Sequence, residues 1–256
     1  MDTNQFNDLI NQFSDLLSQP EPTPQLDLQD SDLTSTDWNT CLLVKVVIDR
    51  RIGKQALHIS LIKSWKDYPL LSLQKFNRYS YVARFNSIED RDAVYNQSPW
   101  HFNHDPLALI KLNGPPTVDL LKQLPVVLWV QFHGIPSRAL TFQGVWKMAK
   151  LVGTPVPVHP DTARLWSVFA RLKVQLNAAN PLKDKIKITL PDNQPVTVFL
   201  YHEKAGKVCL YCGLMGHEIY ECMDRNKYMA LIQSYPAELH QILMQKLDPK
   251  FGPWIY

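Results

Sequence analysis

Apolar positions along this 256-residue chain alternate between stretches of period two and stretches of period near 3.6. Residues 4–18 place Phe6, Leu9, Ile10, Phe13, Leu16 and Leu17 at helical spacing, which predicts an amphipathic helix with an acidic polar face. Residues 19–37 carry no period and contain Gln19-Pro-Glu-Pro-Thr-Pro, the signature of a disordered linker. Residues 41–48 are almost continuously apolar and read as a buried strand. Residues 53–66 set Ala56, Leu57, Ile59, Leu61, Ile62 and Trp65 on a helix that ends before Pro69. Strands follow over 70–76 and 79–85, joined around Asn77-Arg78. Ser87 is an N-cap for a helix running to about Gln97, and residues 106–112 give a further strand.

Gly114-Pro-Pro marks a boundary. Beyond it, residues 126–132 predict a strand, and residues 141–152 a helix with Val145, Trp146, Ala149 and Leu151 on its apolar side. Val156-Pro-Val is a short strand limited by prolines. Val168, Ala170, Leu172, Val174 and Leu176 alternate along a half-buried strand over 167–176. Residues 185–190 and 195–202 flank Pro191-Asp-Asn as a hairpin. Residues 226–247 read as helix broken near Pro236, with Leu239, Ile242, Leu243 and Leu247 on one face. No internal repeat of fixed period is visible.

These elements predict an α+β chain. The order βαββαβ over 38–114 is that of a ferredoxin-like unit, the arrangement that RNA-recognition domains use. A smaller βαβ-plus-hairpin block over 115–205 packs on it. A metal-binding segment over 206–225 and a helical tail over 226–256 complete the chain, with 1–37 as an acidic N-terminal helix and linker. Nineteen prolines against nine glycines favour stiff connections between short elements.

Charge sharpens this picture. Residues 1–37 hold eight acids and no Lys or Arg, which leaves residues 38–256 with 27 basic against 16 acidic side chains, or +11. A basic body with an acidic tail suits a polyanionic partner. No apolar run reaches the roughly 18 residues of a membrane span, and the start lacks the basic and apolar regions of a signal peptide. Cytoplasm or nucleus is therefore expected, without membrane or small-molecule partners.

Fourteen residues carry the most chemistry. Cys209-Leu-Tyr-Cys212-Gly-Leu-Met-Gly-His217-Glu-Ile-Tyr-Glu-Cys222 has the spacing C-x2-C-x4-H-x4-C. Three thiols and one imidazole complete a tetrahedral set for one structural zinc ion and leave no position for water or substrate. Three of the four cysteines in the chain fall here. The fourth, Cys41, opens an apolar strand and reads as a small core residue. This is a CCHC zinc knuckle, a module that binds single-stranded nucleic acid. With zinc bound, the three thiolates, Glu218 and Glu221 leave the knuckle near about −3, so phosphate contact falls to its flanks: Lys204, Lys207, Arg225 and Lys227. Leu210, Tyr211, Ile219 and Tyr220 either form a base-stacking surface or pin the knuckle to its neighbours. Tyr79 and Tyr81 lie two apart on a strand and face one way, as base-stacking residues of an open sheet would. Phe85 shares that face, which equally suits a helix-covered core.

Several motifs together resemble a large plant family that joins an N-terminal domain of unknown function to such a knuckle. They are Ser87-Ile-Glu-Asp-Arg91, Ser98-Pro-Trp100-His-Phe102, Trp129-Val-Gln-Phe-His-Gly134-Ile-Pro136, Val152-Gly153-Thr-Pro155, Asp161, the knuckle, and Phe251-Gly-Pro-Trp254. The resemblance spans about residues 38–256. It implies a retrotransposon-derived, non-catalytic, gag-like part of a LINE-type element that binds zinc and nucleic acid, with Trp100 and Trp129 as core anchors. No Walker, G-x-S-x-G, H-E-x-x-H, Rossmann or paired-aspartate polymerase motif is present, and His101, His104 and His133 sit near strand ends as structural residues do. Two functions remain open: an RNA or single-stranded DNA binder, and a zinc-stapled protein-interaction or self-assembly module.

Overall fold

The order of strands in two five-stranded antiparallel sheets sets the architecture. The computed structural model describes residues 36–252. The expected helix at 4–18, most of the 19–37 linker and Trp254 lie outside the described residues.

The first sheet is built from β1 (Cys41–Val46), β2 (Leu70–Lys75), β3 (Ser80–Phe85), β4 (His101–Phe102) and β5 (Asp105–Lys111), in the order β2-β3-β1-β5-β4. Helices α1 (Lys54–Ser64) and α2 (Ile88–Asn96) follow β1 and β3. Local chemistry fixes the joints. The Asn77 side-chain oxygen accepts hydrogen bonds from the Tyr79 and Ser80 amides, at 2.8 and 3.0 Å, and so turns β2 into β3. Ser87 Oγ caps α2 by accepting from the Asp90 amide at 3.1 Å. Asn103 and His104 both adopt positive φ, which closes the tight β4–β5 hairpin that periodicity alone had not revealed.

Helix α1 buries Leu57, Leu61 and the following Trp65 at four-residue spacing, whereas Ile59 and Ile62 face solvent. Trp65 packs on Phe85 with ring centroids 5.5 Å apart and edge-on to Trp100 at 6.2 Å. Leu42, Val44, Tyr81, Ala83 and Leu109 belong to this helix-covered core. The Tyr81 hydroxyl donates to the Ile52 carbonyl at 2.6 Å. The opposite face of the sheet is covered too. Cys41, Leu43 and Val82 pack with Trp38, Phe76, Leu120 and Leu121, while Val47 and Ala108 enter the core of the second sheet. Two-sided burial explains the continuous apolar run at 41–48. It also pushes the Cys41 thiol up from its ordinary pKa.

The second sheet comprises β6 (Pro125–His133), β7 (Thr154–Pro155), β8 (Phe169–Asn177), β9 (Lys185–Thr189) and β10 (Pro195–Glu203), in the order β7-β8-β6-β10-β9. Helix α3 (Phe142–Lys150) follows β6 and is capped by Thr141, whose Oγ1 accepts from the Gly144 amide at 3.1 Å. The short proline-limited strand sits at 154–155, one step before the expected 156–158. β6 and β7 each pair antiparallel to β8, so they run parallel with β8 between them. Mapping β6–β10 onto β1–β5 in chain order gives the same sequence of neighbours. The two sheets therefore share one connectivity, a structural repeat with no counterpart in the residue pattern.

β6 and β8 alternate strictly. Val126, Leu128, Val130 and Phe132 face inward with Ala170, Leu172, Val174, Leu176, Val198 and Leu200, beneath Val145, Met148 and Ala149 of α3. Val168 does not continue the alternation: it lies just outside β8 and is 82% exposed. Trp129 is likewise not a core anchor. It shares the outward face with Val127, Gln131 and His133, and all four are half-buried. Gly153 is required by packing, because a Cβ there would stand 2.5 Å from the Gln175 carbonyl oxygen.

The tail forms α4 (Met223–Ile232) and α5 (Ala237–Met244), broken before Pro236 as expected. Of its predicted apolar face, Leu247 is buried and Leu243 packs beside it, but Leu239 and Ile242 are exposed. Among the described residues no helix is long and apolar enough to cross a membrane.

Inward and outward positions on β6 should differ sharply in their effect on stability. Leu128→Ala is expected to lower unfolding free energy by about 2–5 kcal/mol, and Val127→Ala by less than half of that. The urea midpoint checks both.

Candidate metal centre

Cys209, Cys212, His217 and Cys222 converge. One ligand atom from each, three sulfurs and an imidazole nitrogen, lies within 4.8 Å of every other. A tetrahedral zinc site with bonds of about 2.3 Å to sulfur has sulfur–sulfur edges of about 3.8 Å, so the cluster is of the right size for one metal ion. His217 Nε2 faces Cys212 Sγ at 3.5 Å and is therefore the ligand nitrogen. Burial first, and then the crowded Cys209 and Cys222 sulfurs, push the Cys212 thiol up to about 12, against the lowering effect of the Leu214 amide. A cation beside it, as a bound metal would be, favours ionisation of the Cys212 thiol.

The loop reaches this geometry through two glycines. Gly213 and Gly216 have φ of +76° and +103°, a region that favours glycine. A Cβ on Gly213 would also strike the Phe251 ring at 2.5 Å. Backbone bonds dock the loop on three sides. The Gly213 amide donates to the Cys209 carbonyl at 2.7 Å, and the Leu182 amide donates to the Gly213 carbonyl at 2.8 Å. The Asp49 amide donates to the Gly216 carbonyl at 3.1 Å, and Lys250 and Phe251 both donate to Leu210.

Asp49 is the residue that sequence reasoning missed. Its Oδ2 lies 3.2 Å from His217 Nδ1, the ring nitrogen that points away from the thiols. The contact lacks hydrogen-bond geometry, and a small rotation of the exposed Asp49 side chain would let its carboxylate accept from Nδ1–H and fix the ring's tautomer once a metal takes the other nitrogen. Asp49 follows β1, some 160 positions before the knuckle, and no local spacing signals the pairing.

The structure does not assemble the expected nucleic-acid contacts around this centre. Tyr81 is buried under α1, because Phe85 and Tyr81 both point into the helix-covered core; it is closed to a base. Tyr79 lies before β3 and is exposed, in a cleft of about 510 Å³ that also contains Lys45, Arg50, Lys207 and His217. Tyr211 is buried against α4 and the Leu247 region, with Lys250 Nζ 4.0 Å from its ring centroid. Leu210 packs on the core of the second sheet and Ile219 on the tail helices. These apolar side chains pin the knuckle, whose loop is too short to bury a core of its own. Tyr220 remains exposed. Lys207 sits 3.2 Å from Glu218 and 3.4 Å from Glu221, and those carboxylates raise its pKa. Arg225 turns back to the Leu247 carbonyl at 3.4 Å. Lys204 and Lys227 are exposed.

Removing the outer carboxylate should loosen the metal without dismantling the ligand set. Asp49→Ala is expected to weaken zinc affinity about 10- to 100-fold while stoichiometry stays at one ion per chain, read by competition with a chromophoric chelator. Binding must release thiol protons, so apparent affinity should rise as pH rises through the neutral range, in the same titration repeated at several pH values.

Residues 34–116, which include the whole first sheet, match the family model described as Domain of unknown function (DUF4283). No curated protein matches the chain. The chain is thus similar to that domain over its first sheet and carries, beyond it, a cluster of three cysteines and one histidine able to hold one metal ion.

Proposed function

We propose that this protein is a non-catalytic, zinc-dependent binder of single-stranded RNA or DNA, derived from a retrotransposon. The observation that carries the reading is the closed C-x2-C-x4-H-x4-C ligand set, gathered at the meeting point of both sheets and the tail. Three sulfurs and one nitrogen favour zinc among the common cellular metals, and four protein ligands leave no open position for hydrolytic chemistry. The matched domain is one found in plant retrotransposon-like proteins, which supports the origin. The excess of 11 positive charges over residues 38–256 supports a polyanionic partner. The strand order β2-β3-β1-β5, antiparallel throughout, supports a ferredoxin-like reading of the first sheet.

A second reading has its own observation. Tyr228, Leu231, Tyr235, Leu239 and Ile242 are exposed together on the tail helices, and Tyr228, Leu231 and Tyr235 line a cleft of about 690 Å³. Such a surface suits a zinc-stapled protein interaction module.

Titration of the zinc-loaded chain with fluorescent single-stranded RNA across a salt series separates the two. A binder gives log K falling with log salt at about 0.7 per phosphate contact, while an interaction module gives no binding at low salt. Cys209→Ser with Cys212→Ser is expected to abolish zinc uptake and to weaken RNA binding at least tenfold, because the metal-free knuckle no longer holds the sheets and tail in register.

A further inference from the structure

Strict alternation on β6, β8, β9 and β10 leaves one face of the second sheet outside the core. Helix α3 covers the other. The residues on the outward face line up in rows across the strands. Phe169, His133, Phe199 and Lys185 are successive cross-strand partners, as are Arg171, Gln131 and Tyr201. Lys173, Trp129 and Glu203 form the next row. His133 stacks on Phe169 with centroids 5.0 Å apart and planes at 29°. Arg171 lies 4.0 Å above the Trp129 ring and makes a two-pronged ion pair with Glu203 at 2.6 Å. Phe199 is 38% exposed.

Two features of this face bear on its partner. It carries five aromatic or imidazole rings: Trp129, His133, Phe169, Phe199 and Tyr201. Lys185 and Lys187 are exposed on it, Arg171 is paired with Glu203, Lys173 donates to the Ser98 carbonyl at 2.7 Å, and Asp184 stands beside Lys185 at 3.9 Å. Rings interleaved with cations on a helix-free sheet face are what unstacked bases and their phosphates require. The corresponding face of the first sheet is closed by its own packing. Tyr201 further lines a groove of about 730 Å³ that leads to the knuckle, with Arg50, His104, Lys204 and Lys207 set against the carboxylates Asp105 and Glu218.

The geometry points to the outward face of the second sheet, rather than the knuckle, as the base-stacking platform for single-stranded nucleic acid. This rests on the nucleic-acid-binding reading above and locates its site. Zinc and the knuckle hold the platform in place, and the groove carries the strand onward.

The test uses the zinc-loaded full chain and fluorescent oligouridylate and oligothymidylate of about twelve nucleotides, a length within the range that such surfaces occupy. Phe199→Ala is expected to weaken binding about tenfold at fixed salt. Lys185→Glu with Lys187→Glu should lower the salt slope by roughly 1–2, and Lys147→Glu with Lys150→Glu, exposed on α3 behind the sheet, should leave affinity and slope unchanged. Circular dichroism and one metal ion per chain establish that each variant is folded. Wild-type binding that neither Phe199→Ala nor Lys185→Glu/Lys187→Glu weakens would overturn the platform and leave the nucleic-acid reading standing. Equal losses from the α3 and β9 charge reversals would likewise overturn it, in favour of diffuse charge. No binding by the wild type at low salt would sink both readings and leave this face to a protein.

Discussion

β1 has apolar side chains on both of its faces, and each face must be covered. α1 and α2 cover one. The other is closed by Trp38, Leu120 and Leu121, with Val47 and Ala108 passing into the second core. At roughly 25 cal/mol per Å² of apolar surface, an open β1 would be untenable next to a stability of only several kcal/mol. This requirement ties the first sheet to the segment after the Gly114-Pro-Pro boundary. It also removes the first sheet from contention as an open platform, whatever its strand order resembles.

The same strand then holds the metal loop. Immediately past β1, Asp49 receives Gly216 through the backbone and His217 through its carboxylate. From the other side Leu182 holds Gly213, and Phe251 lies on the glycine where any side chain would collide with it. Three distant segments thus meet on one fourteen-residue loop. Leu210, Tyr211 and Ile219 of the loop are consumed in this docking, and its basic neighbour Lys207 is neutralised by Glu218 and Glu221. A loop arranged in this way acts as a staple between elements whose sequence separation would otherwise make their contact costly in chain entropy.

Shared connectivity gives the two sheets opposite fates. In the first, a second helix and a covering segment bury both faces. In the second, the β9–β10 hairpin takes the place of β4–β5, no helix stands between β8 and β9, and α3 is the one helix over the sheet. The cross-strand rows of rings and cations lie on the side away from α3, where Tyr95 and Ser98 meet Gln175 and Lys173 at one end and Arg171 is held between the Trp129 ring and Glu203.

The local order of elements was legible from the residues because each has a local cause. Periodicity marked the strands, Ser87 and Thr141 capped their helices, Asn77 turned a hairpin and Pro236 broke the tail. The four metal ligands were equally legible, since one short loop contains them all. Tertiary structure decided what lies over each face. The period of a strand shows that Tyr79, Tyr81 and Phe85 share a side but not whether a helix covers it; α1 does, and Tyr81 is closed off. Trp129, by its size and its apolar neighbours, read as core, yet the alternation of β6 turned it outward beside Arg171. Asp49 could not be assigned to His217 from a pattern, because their approach depends on how two sheets and a loop pack. Spacing along a chain records which residues share a face or a short loop, and only the packing of remote segments determines what that face meets.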